Sequence, residues 1–219
     1  RSGLRPLGAP LIASVYGHTV EGFRDAVRIV AQAAPEFVEL NISCPNVESE
    51  FGKPFALDPG AAARVTAAAR SAYDGQLLVK LSPNVTDVTV FAKAAEDLGA
   101  DAVSAVNTFL GMKIDLGTKR PHFKNRVAGY SGPAIKPMAL RIVFEMYQKV
   151  TIPVIGLGGI CSFEDALEFI FAGAHAVSIG TMSMVEPMVS VRCVEKLEAY
   201  MKSEKIPSLA DIVGCAHRP

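Results

Sequence analysis

Polar and reactive side chains follow directly after a strand-like apolar run near the start of the chain. The run ends in Asn41, Ser43, Cys44, Pro45 and Asn46, and the proline blocks continuation of a strand. A thiol titrates near about 8.5, so a modest change in pKa makes it a workable general base. An asparagine side chain offers both a donor and an acceptor, which suits an amide or imide ring. The segment predicts proton-transfer chemistry at the carboxyl end of a strand, with capping or turn formation as the alternative for each asparagine.

Cys44 is the candidate reactive side chain among four cysteines. The others, Cys161, Cys193 and Cys215, are widely spaced and form no CxxC pair, so the sequence predicts neither a disulfide framework nor a zinc site. We interpret these three as inert small hydrophobic residues. No histidine lies beside Cys44 in the sequence, which argues against a Cys/His hydrolase.

Glycines follow each of the last two predicted strands. Gly158 and Gly159 come after one strand, and Gly180 with Thr181 comes after the next. Glycine lets backbone N–H groups approach a phosphate closely, and (β/α) barrels often bind phosphate at the loops after their last two strands. Tight turns are the alternative explanation for these glycines. Two such loops at successive strands predict a phosphate site.

Lys80 lies within a predicted strand whose preceding residues, 77–79, are all apolar. Burial of an ammonium group costs free energy unless an anionic or electron-rich partner accepts it, although on an edge strand the side chain would reach solvent. Asn107 and Thr108 end the next strand. We predict that Lys80 contacts a ligand and that Asn107 and Thr108 lie beside it.

Six units of strand and helix position these residues. The strands are predicted at 10–17, 37–46, 77–83, 102–108, 153–156 and 176–179, and the helices at about 20–34, 58–73, 86–98, 136–149, 162–173 and 188–202. Near-continuous apolar strands with short connections are typical of a parallel α/β sheet covered by helices. Every strand ends in polar residues or glycine, whereas a doubly wound sheet collects its ligand groups at one switch point. We therefore predict a (β/α) barrel, with a long irregular loop at about 109–133.

The chain has 219 residues and is half hydrophobic, which excludes disordered and fibrous classes. Its 22 basic and 22 acidic residues leave no net charge to attract nucleic acid or an anionic membrane. Apolar stretches fall well short of the roughly 18 residues of a membrane span. An eight-unit barrel takes roughly 250 residues. Since the chain begins at Arg1 and not at a methionine, we expect the first two strands to lie upstream; a complete six-stranded open sheet is the alternative.

Six short motifs occur in the order found in the class 1 dihydroorotate dehydrogenases, which the chain resembles from about residue 10 to 210. The motifs are LNISCPN at 40–46, VKLSPNVTD at 79–87, AVNT at 105–108, SGPAIKP at 131–137, GLGGI at 156–160 and IGT at 179–181. The second and fourth motifs are most similar to those of the class 1B catalytic subunit. The resemblance implies one FMN-binding (β/α)8 TIM-barrel domain over 1–219, without its first two strands. It also implies oxidation of dihydroorotate to orotate in pyrimidine biosynthesis.

The resemblance also assigns roles to individual residues. Cys44 is expected to remove the C5 proton of dihydroorotate while hydride passes from C6 to FMN. Lys80 is expected to contact the flavin ring and to stabilise negative charge on its reduced form. The residues expected to hold the orotate ring are Asn41, Asn46, Asn107 and Thr108. Those expected to bind FMN are Ser14, where the family often has Asn, Asn41, Lys80, Val106 and Gly132, with Gly158, Gly159, Gly180 and Thr181 at the phosphate.

Further expectations concern partners. The family's first two units supply a lysine and a substrate loop that this sequence does not contain, so the chain as written is expected to be an incomplete enzyme. Class 1B enzymes act with an iron–sulfur and FAD subunit that reduces NAD, and we also expect a homodimer in the cytoplasm. One alternative is a barrel of the dihydropyrimidine dehydrogenase type, whose catalytic cysteine lies further along the same loop; residues 48–58 contain no cysteine. Another is a flavin- or phosphate-binding fragment without turnover.

Overall fold

The structure is a computed structural model that describes residues 8–43 and 55–218. Cys44 and Asn46, both predicted site residues, lie outside the described residues. The described strands are β1 Ile12–Val15, β2 Phe37–Asn41, β3 Gln76–Lys80, β4 Ala102–Ala105, β5 Phe109–Met112, β6 Ile114–Asp115, β7 Arg120–Pro121, β8 Val127–Tyr130, β9 Val154–Leu157 and β10 Ala174–Ser178. The described α-helices are α1 Val20–Ala31, α2 Pro59–Arg70, α3 Val88–Asp97, α4 Lys136–Tyr147, α5 Phe163–Phe171, α6 Thr181–Val185 and α7 Val189–Ser203.

Six parallel strands form the central sheet, in the order β1-β2-β3-β4-β9-β10. Each neighbouring pair is parallel. The order follows the chain without reversal, whereas a doubly wound sheet reverses at its switch point. The sheet therefore agrees with the predicted (β/α) barrel, to which the described residues contribute six consecutive strands.

The two faces of this sheet differ in polarity. Val38, Leu40, Val79, Val103 and Val154 are fully buried and belong to one apolar cluster with residues of the surrounding helices. Side chains alternate across a strand, so the residues between these buried ones point to the opposite face of the sheet, away from the helices. That inner face carries the polar residues of β2, β3 and β4.

Local capping fixes where the helices begin. Thr19, Asp58 and Asp87 each accept a backbone hydrogen bond at the start of α1, α2 and α3. Ser162 and Asp165 form a reciprocal capping box at the start of α5. The predicted starts at Asp58, Asp87 and Ser162 are confirmed. Helices α1, α2 and α4 end two or three residues earlier than predicted, because the sequence gives no comparable signal for their last turn.

Residues 109–130 form an antiparallel arm, and the prediction of an irregular loop there is wrong. Strand β5 pairs with β8, and β6 pairs with β7. Leu110, Met112 and Ile114 alternate with other residues along the arm and are exposed. This alternating stretch is too short to predict a strand from the sequence, because the strand that pairs with it lies many residues away.

The sixth strand of the sheet begins at Ala174, two residues before its predicted start. His175 therefore belongs to β10, although it precedes the predicted strand at 176–179. Its Nδ1 accepts a hydrogen bond from the backbone N–H of Val154 at 3.3 Å. Helix α6 was also not predicted, because five residues are too few to show a helical period.

Candidate active site

A cleft of about 250 Å³ opens at the carboxyl ends of β3, β4, β9 and β10. The residues predicted from sequence that line it are Lys80, Val106, Asn107, Thr108, Gly132, Gly158, Gly159, Gly180 and Thr181. Lining residues that the sequence did not predict are Ser131, Pro133, Ile135, Leu157, Ile160, Cys161, Ser178, Met182 and Val185. Most of these missed residues adjoin a predicted one, and several supply the apolar walls that a ring-shaped ligand needs.

The loop after β9 contributes Gly158, Gly159 and Ile160 to the lining of the cleft. Gly158 and Gly159 have φ angles of +125° and +78°, a region that favours glycine. A Cβ on Gly159 would lie 2.7 Å from the Lys136 nitrogen and 2.9 Å from the Gly132 oxygen, so a larger residue does not fit. In the part of the chain that the structure describes, the N–H groups of Gly158, Gly159 and Ile160 have no recorded protein acceptor. Such a set of unpaired donors suits an anion.

The loop after β10 differs from the loop after β9. Gly180 has a negative φ, and a Cβ built on it would meet no atom within 4 Å. Neither the backbone conformation nor packing therefore requires glycine at this position. The hydroxyl of Thr181 donates to Ser131 Oγ at 2.8 Å, which joins this loop to the segment before α4. The open space beside Gly180 leaves room for close approach of a ligand.

Lys80 lies on the inner face of the sheet, beside Asn41 of β2 and Ser104 of β4. The three residues before it, Leu77 to Val79, are at most 1% exposed, whereas Lys80 is partly exposed and reaches the cleft. No ion pair joins its ammonium to a carboxylate within residues 8–43 and 55–218. A cation without a protein counter-charge suits a ligand that carries or develops negative charge.

Hydrogen bonds link the ends of β2 and β4. The amide of Asn107 donates to Ser43 Oγ at 2.7 Å, and Ser43 donates to Asn41 Oδ1 at 2.6 Å. The backbone N–H of Thr108 donates to Asn107 Oδ1 at 2.8 Å. Asn41 does not line the cleft, but this network ties it to Asn107, which does. Ser43, only 1% exposed, is the link that the sequence did not predict.

Thr108 is held by a residue that the sequence did not predict. Asn84 donates from its amide to the Thr108 carbonyl at 2.9 Å and accepts from the Leu110 N–H at 2.9 Å. Asn84 therefore ties the loop after β3 to the start of the arm. Asn84 directly follows Pro83 within the second motif, and this position is the signal by which the sequence could have identified it.

Ser14, which was predicted to contact FMN, is not among the residues that line the cleft. Its hydroxyl donates to Glu39 Oε1 at 2.9 Å, and Ser104 donates to Glu39 Oε2 at 2.9 Å. Glu39 thus joins β1, β2 and β4 through side chains. It was not predicted, although a charged residue inside an apolar strand was the signal that identified Lys80.

Cys161 is a free thiol on the wall of the cleft. Burial raises its pKa, with a further contribution from the charge of Asp165, so the thiol is protonated at neutral pH. Its Sγ donates weakly to the Gly159 carbonyl at 3.5 Å. This environment fits the interpretation of Cys161 as an unreactive residue.

Within residues 8–43 and 55–218, no group of three or more His, Cys, Asp or Glu side chains could hold a metal ion. None of the helices there is long and apolar enough to cross a bilayer.

A parallel sheet in sequential strand order, with unpaired backbone donors at its carboxyl edge, is characteristic of (β/α)-barrel proteins that bind phosphorylated ligands. The sequence pattern of the family described as dihydroorotate dehydrogenase matches residues 5–201. The chain therefore belongs to the dihydroorotate dehydrogenase family.

Curated relatives narrow the assignment within the family. A protein of Carboxydothermus hydrogenoformans is 46% identical over 217 residues, which are 98% of this chain and 70% of the relative. A protein of Trichlorobacter lovleyi is 47% identical over 212 residues, which are 96% of this chain and 69% of the relative. Both are named dihydroorotate dehydrogenase B (NAD(+)), catalytic subunit. The resemblance to class 1B is thus confirmed.

A solved structure supports the fold. The crystal structure of DHODH in complex with ferulenol from Eimeria tenella superposes with a TM-score of 0.74 at 24% identity. The match covers 91% of this chain and 58% of the other, so the chain spans well under two thirds of that protein. At this identity the likeness supports the architecture of the sheet and helices and nothing finer.

Proposed function

We propose that the chain supplies the catalytic barrel of an enzyme that oxidises dihydroorotate to orotate in pyrimidine biosynthesis, with FMN as its cofactor. One observation carries the proposal: a single cleft contains both the ammonium of Lys80 and the N–H groups of Gly158 to Ile160, for which the described residues provide no ion pair or acceptor. These are the groups that a flavin ring and a phosphate require.

The residues of the cleft fit FMN. The N–H groups of Gly158 and Gly159, with the Gly180–Thr181 loop, would hold the phosphate. Val106 and its neighbours would supply apolar contact to the ring, and Lys80 would favour negative charge on it. FMN, when bound, supplies the acceptor for the substrate hydride.

The substrate would lie against the polar network of the cleft. Asn107 lines the cleft and offers its amide, while Ser43 fixes the orientation of that amide through the bond at 2.7 Å. Cys44 follows Ser43 in the sequence. We propose Cys44 as the base that takes the C5 proton, with Asn41, Asn46 and Thr108 as further contacts to the ring.

We also propose that electrons leave through a partner. The named relatives are catalytic subunits of NAD(+)-linked enzymes. An iron–sulfur and FAD subunit bound near the cleft would carry electrons from FMN to NAD, and two copies of the catalytic chain would form a dimer. The proposed enzyme would act in the cytoplasm.

The visible spectrum of the purified full-length protein tests the cofactor proposal. We expect flavin absorbance, or its appearance when FMN is added to protein without bound flavin. A colourless protein that takes up no FMN would contradict the proposal and would also exclude the dihydropyrimidine dehydrogenase alternative.

Anaerobic bleaching tests the substrate. We expect dihydroorotate, and not dihydrouracil, to bleach the flavin absorbance. A Cys44→Ala variant should keep the absorbance and lose at least about 100-fold in bleaching rate, in line with loss of a general base. Bleaching of the variant at the wild-type rate would mean that another group takes the proton, and a flavin that no substrate bleaches would indicate a binding protein without turnover.

A further inference from the structure

A partly buried cluster of charges lies behind the loop that follows β9. The ammonium of Lys136 lies 2.7 Å from Asp165 Oδ1 and 3.0 Å from Glu168 Oε2. The side chains of Lys136 and Asp165 are only 24% and 17% exposed. The pair therefore links the first turn of α4 to the first turn of α5, on either side of the loop.

The second oxygen of Asp165 binds the loop itself. Asp165 Oδ2 accepts from the backbone N–H of Cys161 at 2.9 Å and from that of Ser162 at 3.1 Å. The N–H groups of the loop thus fall into two consecutive sets. Those of Cys161 and Ser162 are taken by Asp165, whereas those of residues 158–160 have no recorded acceptor in the described chain. Asp165 therefore sets the boundary in the loop between the N–H groups that can donate to a ligand, at residues 158–160, and those that are already bound, at Cys161 and Ser162.

Lys136 touches the loop from the other side. The space beside the Gly159 Cα is filled by the backbone nitrogen and Cα of Lys136, which a Cβ would approach to 2.7 and 2.9 Å. The backbone of Lys136 packs against Gly159, and its side chain holds the carboxylate that binds Cys161. One residue therefore constrains the loop at two points, which are two residues apart.

The charges also bear on an anionic ligand. Without Lys136, the Asp165 carboxylate would lie one residue beyond the N–H groups that face the cleft and would repel a phosphate there. Burial opposes ionisation of Asp165, but the bond from Lys136 and the backbone bonds outweigh it and lower its pKa, while the pKa of Lys136 is raised. Both groups are therefore ionised at neutral pH, and the ammonium offsets part of the negative charge that Asp165 and Glu168 place behind the loop.

We infer that Lys136 and Asp165 are positioning residues that set the preference of this cleft for a phosphorylated flavin over the same ring without phosphate. Neither residue lines the cleft; Asp165 orients the loop, and Lys136 orients Asp165 and offsets its negative charge. This inference rests on the proposed FMN site. It assigns a function to two side chains outside the cleft.

The test compares two ligands that differ only in the phosphate. The dissociation constants of FMN and riboflavin are measured by flavin fluorescence on the full-length protein freed of flavin. For Lys136→Met we expect the FMN constant to rise about 10- to 100-fold and the riboflavin constant to change less than about threefold. Lys136→Arg, which can keep the ion pair, should restore most of the preference.

Two further variants keep the outcome interpretable. Asp165→Ala removes the acceptor that holds the N–H groups of Cys161 and Ser162, and it should lower the preference for FMN by at least about threefold even if Lys136→Met does not fold. Arg141→Met removes an exposed ion pair with Glu145 on the same helix and should leave both constants unchanged. An unchanged ratio of the two constants in Lys136→Met and Asp165→Ala, or equal weakening of both ligands, would overturn the inference. A wild-type protein that binds neither ligand would instead overturn the proposed function.

Discussion

The two edges of the central sheet use polar residues in opposite ways. At the amino edge, where strands begin, Arg70 donates to the carbonyls of Tyr73, Gly75 and Gly99 at 3.0–3.1 Å and to Asp101 at 2.6 Å. These bonds close one polar cluster entirely within the protein. At the carboxyl edge, Lys80 has no ion pair in the described chain.

Acidic side chains complete the amino edge by accepting from backbone N–H groups near the starts of strands. Asp101 accepts from the N–H of Leu77 at 2.7 Å, and Glu96 accepts from the N–H of Thr151 at 2.7 Å. Each bond joins a residue at the end of a helix, or just after it, to the beginning of a neighbouring strand. Buried N–H groups without partners are costly, so this arrangement stabilises the fold.

The difference separates stability from ligand binding. Polar groups that satisfy one another, as at the amino edge, gain nothing further from a ligand. Among residues 8–43 and 55–218, the N–H groups of residues 158–160 have no acceptor and the ammonium of Lys80 has no ion pair, so a bound ligand can supply partners to them. Substitutions at the amino edge should therefore lower stability, and those at the carboxyl edge should lower affinity.

The largest expected effect is that of Arg70→Met. The substitution leaves three carbonyls without the Arg70 donor and the Asp101 carboxylate without its ion pair, so we expect the free energy of unfolding to fall by about 3 kcal/mol. Denaturant unfolding measures the loss. FMN affinity per folded molecule should not change. Arg28→Met is the control, because the Arg28 side chain is 71% exposed and lies 3.9 Å from Asp25; a similar loss in both variants would contradict the special role of Arg70.

Glu96→Gln should have the next largest effect, and the effect should depend on pH. Burial opposes ionisation of Glu96, but bonds from Thr151 and Lys93 outweigh it and lower its pKa to about 2. Because the folded pKa lies below the ordinary 4.5, the stabilisation is fully present above pH 4.5 and is lost as pH falls toward 2. We expect a loss on the order of 2 kcal/mol at pH 7 that vanishes near pH 2.

Unfolding of the Glu96→Gln protein across this pH range checks the prediction. Asp97→Asn is the matched control, since Asp97 binds the same Lys93 but is 54% exposed. The control should follow the wild-type pH profile. A constant difference between Glu96→Gln and wild type from pH 7 to pH 2 would mean that ionisation of Glu96 does not contribute.

Lys80→Met is expected to lower FMN affinity and to leave stability nearly unchanged, which is the opposite of the result expected for Arg70→Met. Removal of a partly desolvated cation that has no ion pair should leave the free energy of unfolding within about 1 kcal/mol of wild type, or raise it. The dissociation constant of FMN should rise about tenfold, which corresponds to about 1.4 kcal/mol. Lys202→Met, at an exposed site on α7, should change neither quantity. A large loss of stability in Lys80→Met would remove the distinction between the two edges.

The carboxyl edge was easier to predict from sequence than the amino edge. Its residues end strands, and Lys80, Asn107 and Gly158–Gly159 each interrupt an apolar run, so the local pattern marks them. Helix starts such as Ser162–Asp165 are local as well, because donor and acceptor lie within one turn. The roles assigned to the cleft residues by resemblance stay predictions.

The amino edge depends on contacts between residues distant in the sequence. Arg70 and Asp101 are 31 residues apart, and Glu96 and Thr151 are 55 apart, so only the order of the strands brings them together. Each looks like an ordinary surface charge in the sequence. Glu39 and the antiparallel arm escaped prediction for the same reason, since their partners lie on other strands.

His175→Gln should have the smallest effect and extends the comparison to pH near neutrality. The N–H of Val154 donates to His175 Nδ1, so the folded state requires that nitrogen to be unprotonated. Desolvation lowers the pKa of His175 below its ordinary 6.5, although a backbone contact at Gly173 opposes the change. The unfolded chain therefore takes up a proton first, and stability is lost as pH falls through 6.5.

Gln keeps an acceptor but cannot titrate. The free energy of unfolding of the variant should therefore lack the part of the pH dependence that His175 contributes, which is less than about 1 kcal/mol between pH 7 and 5. Identical slopes in the two proteins would show that the amino edge responds to acid through its carboxylates alone.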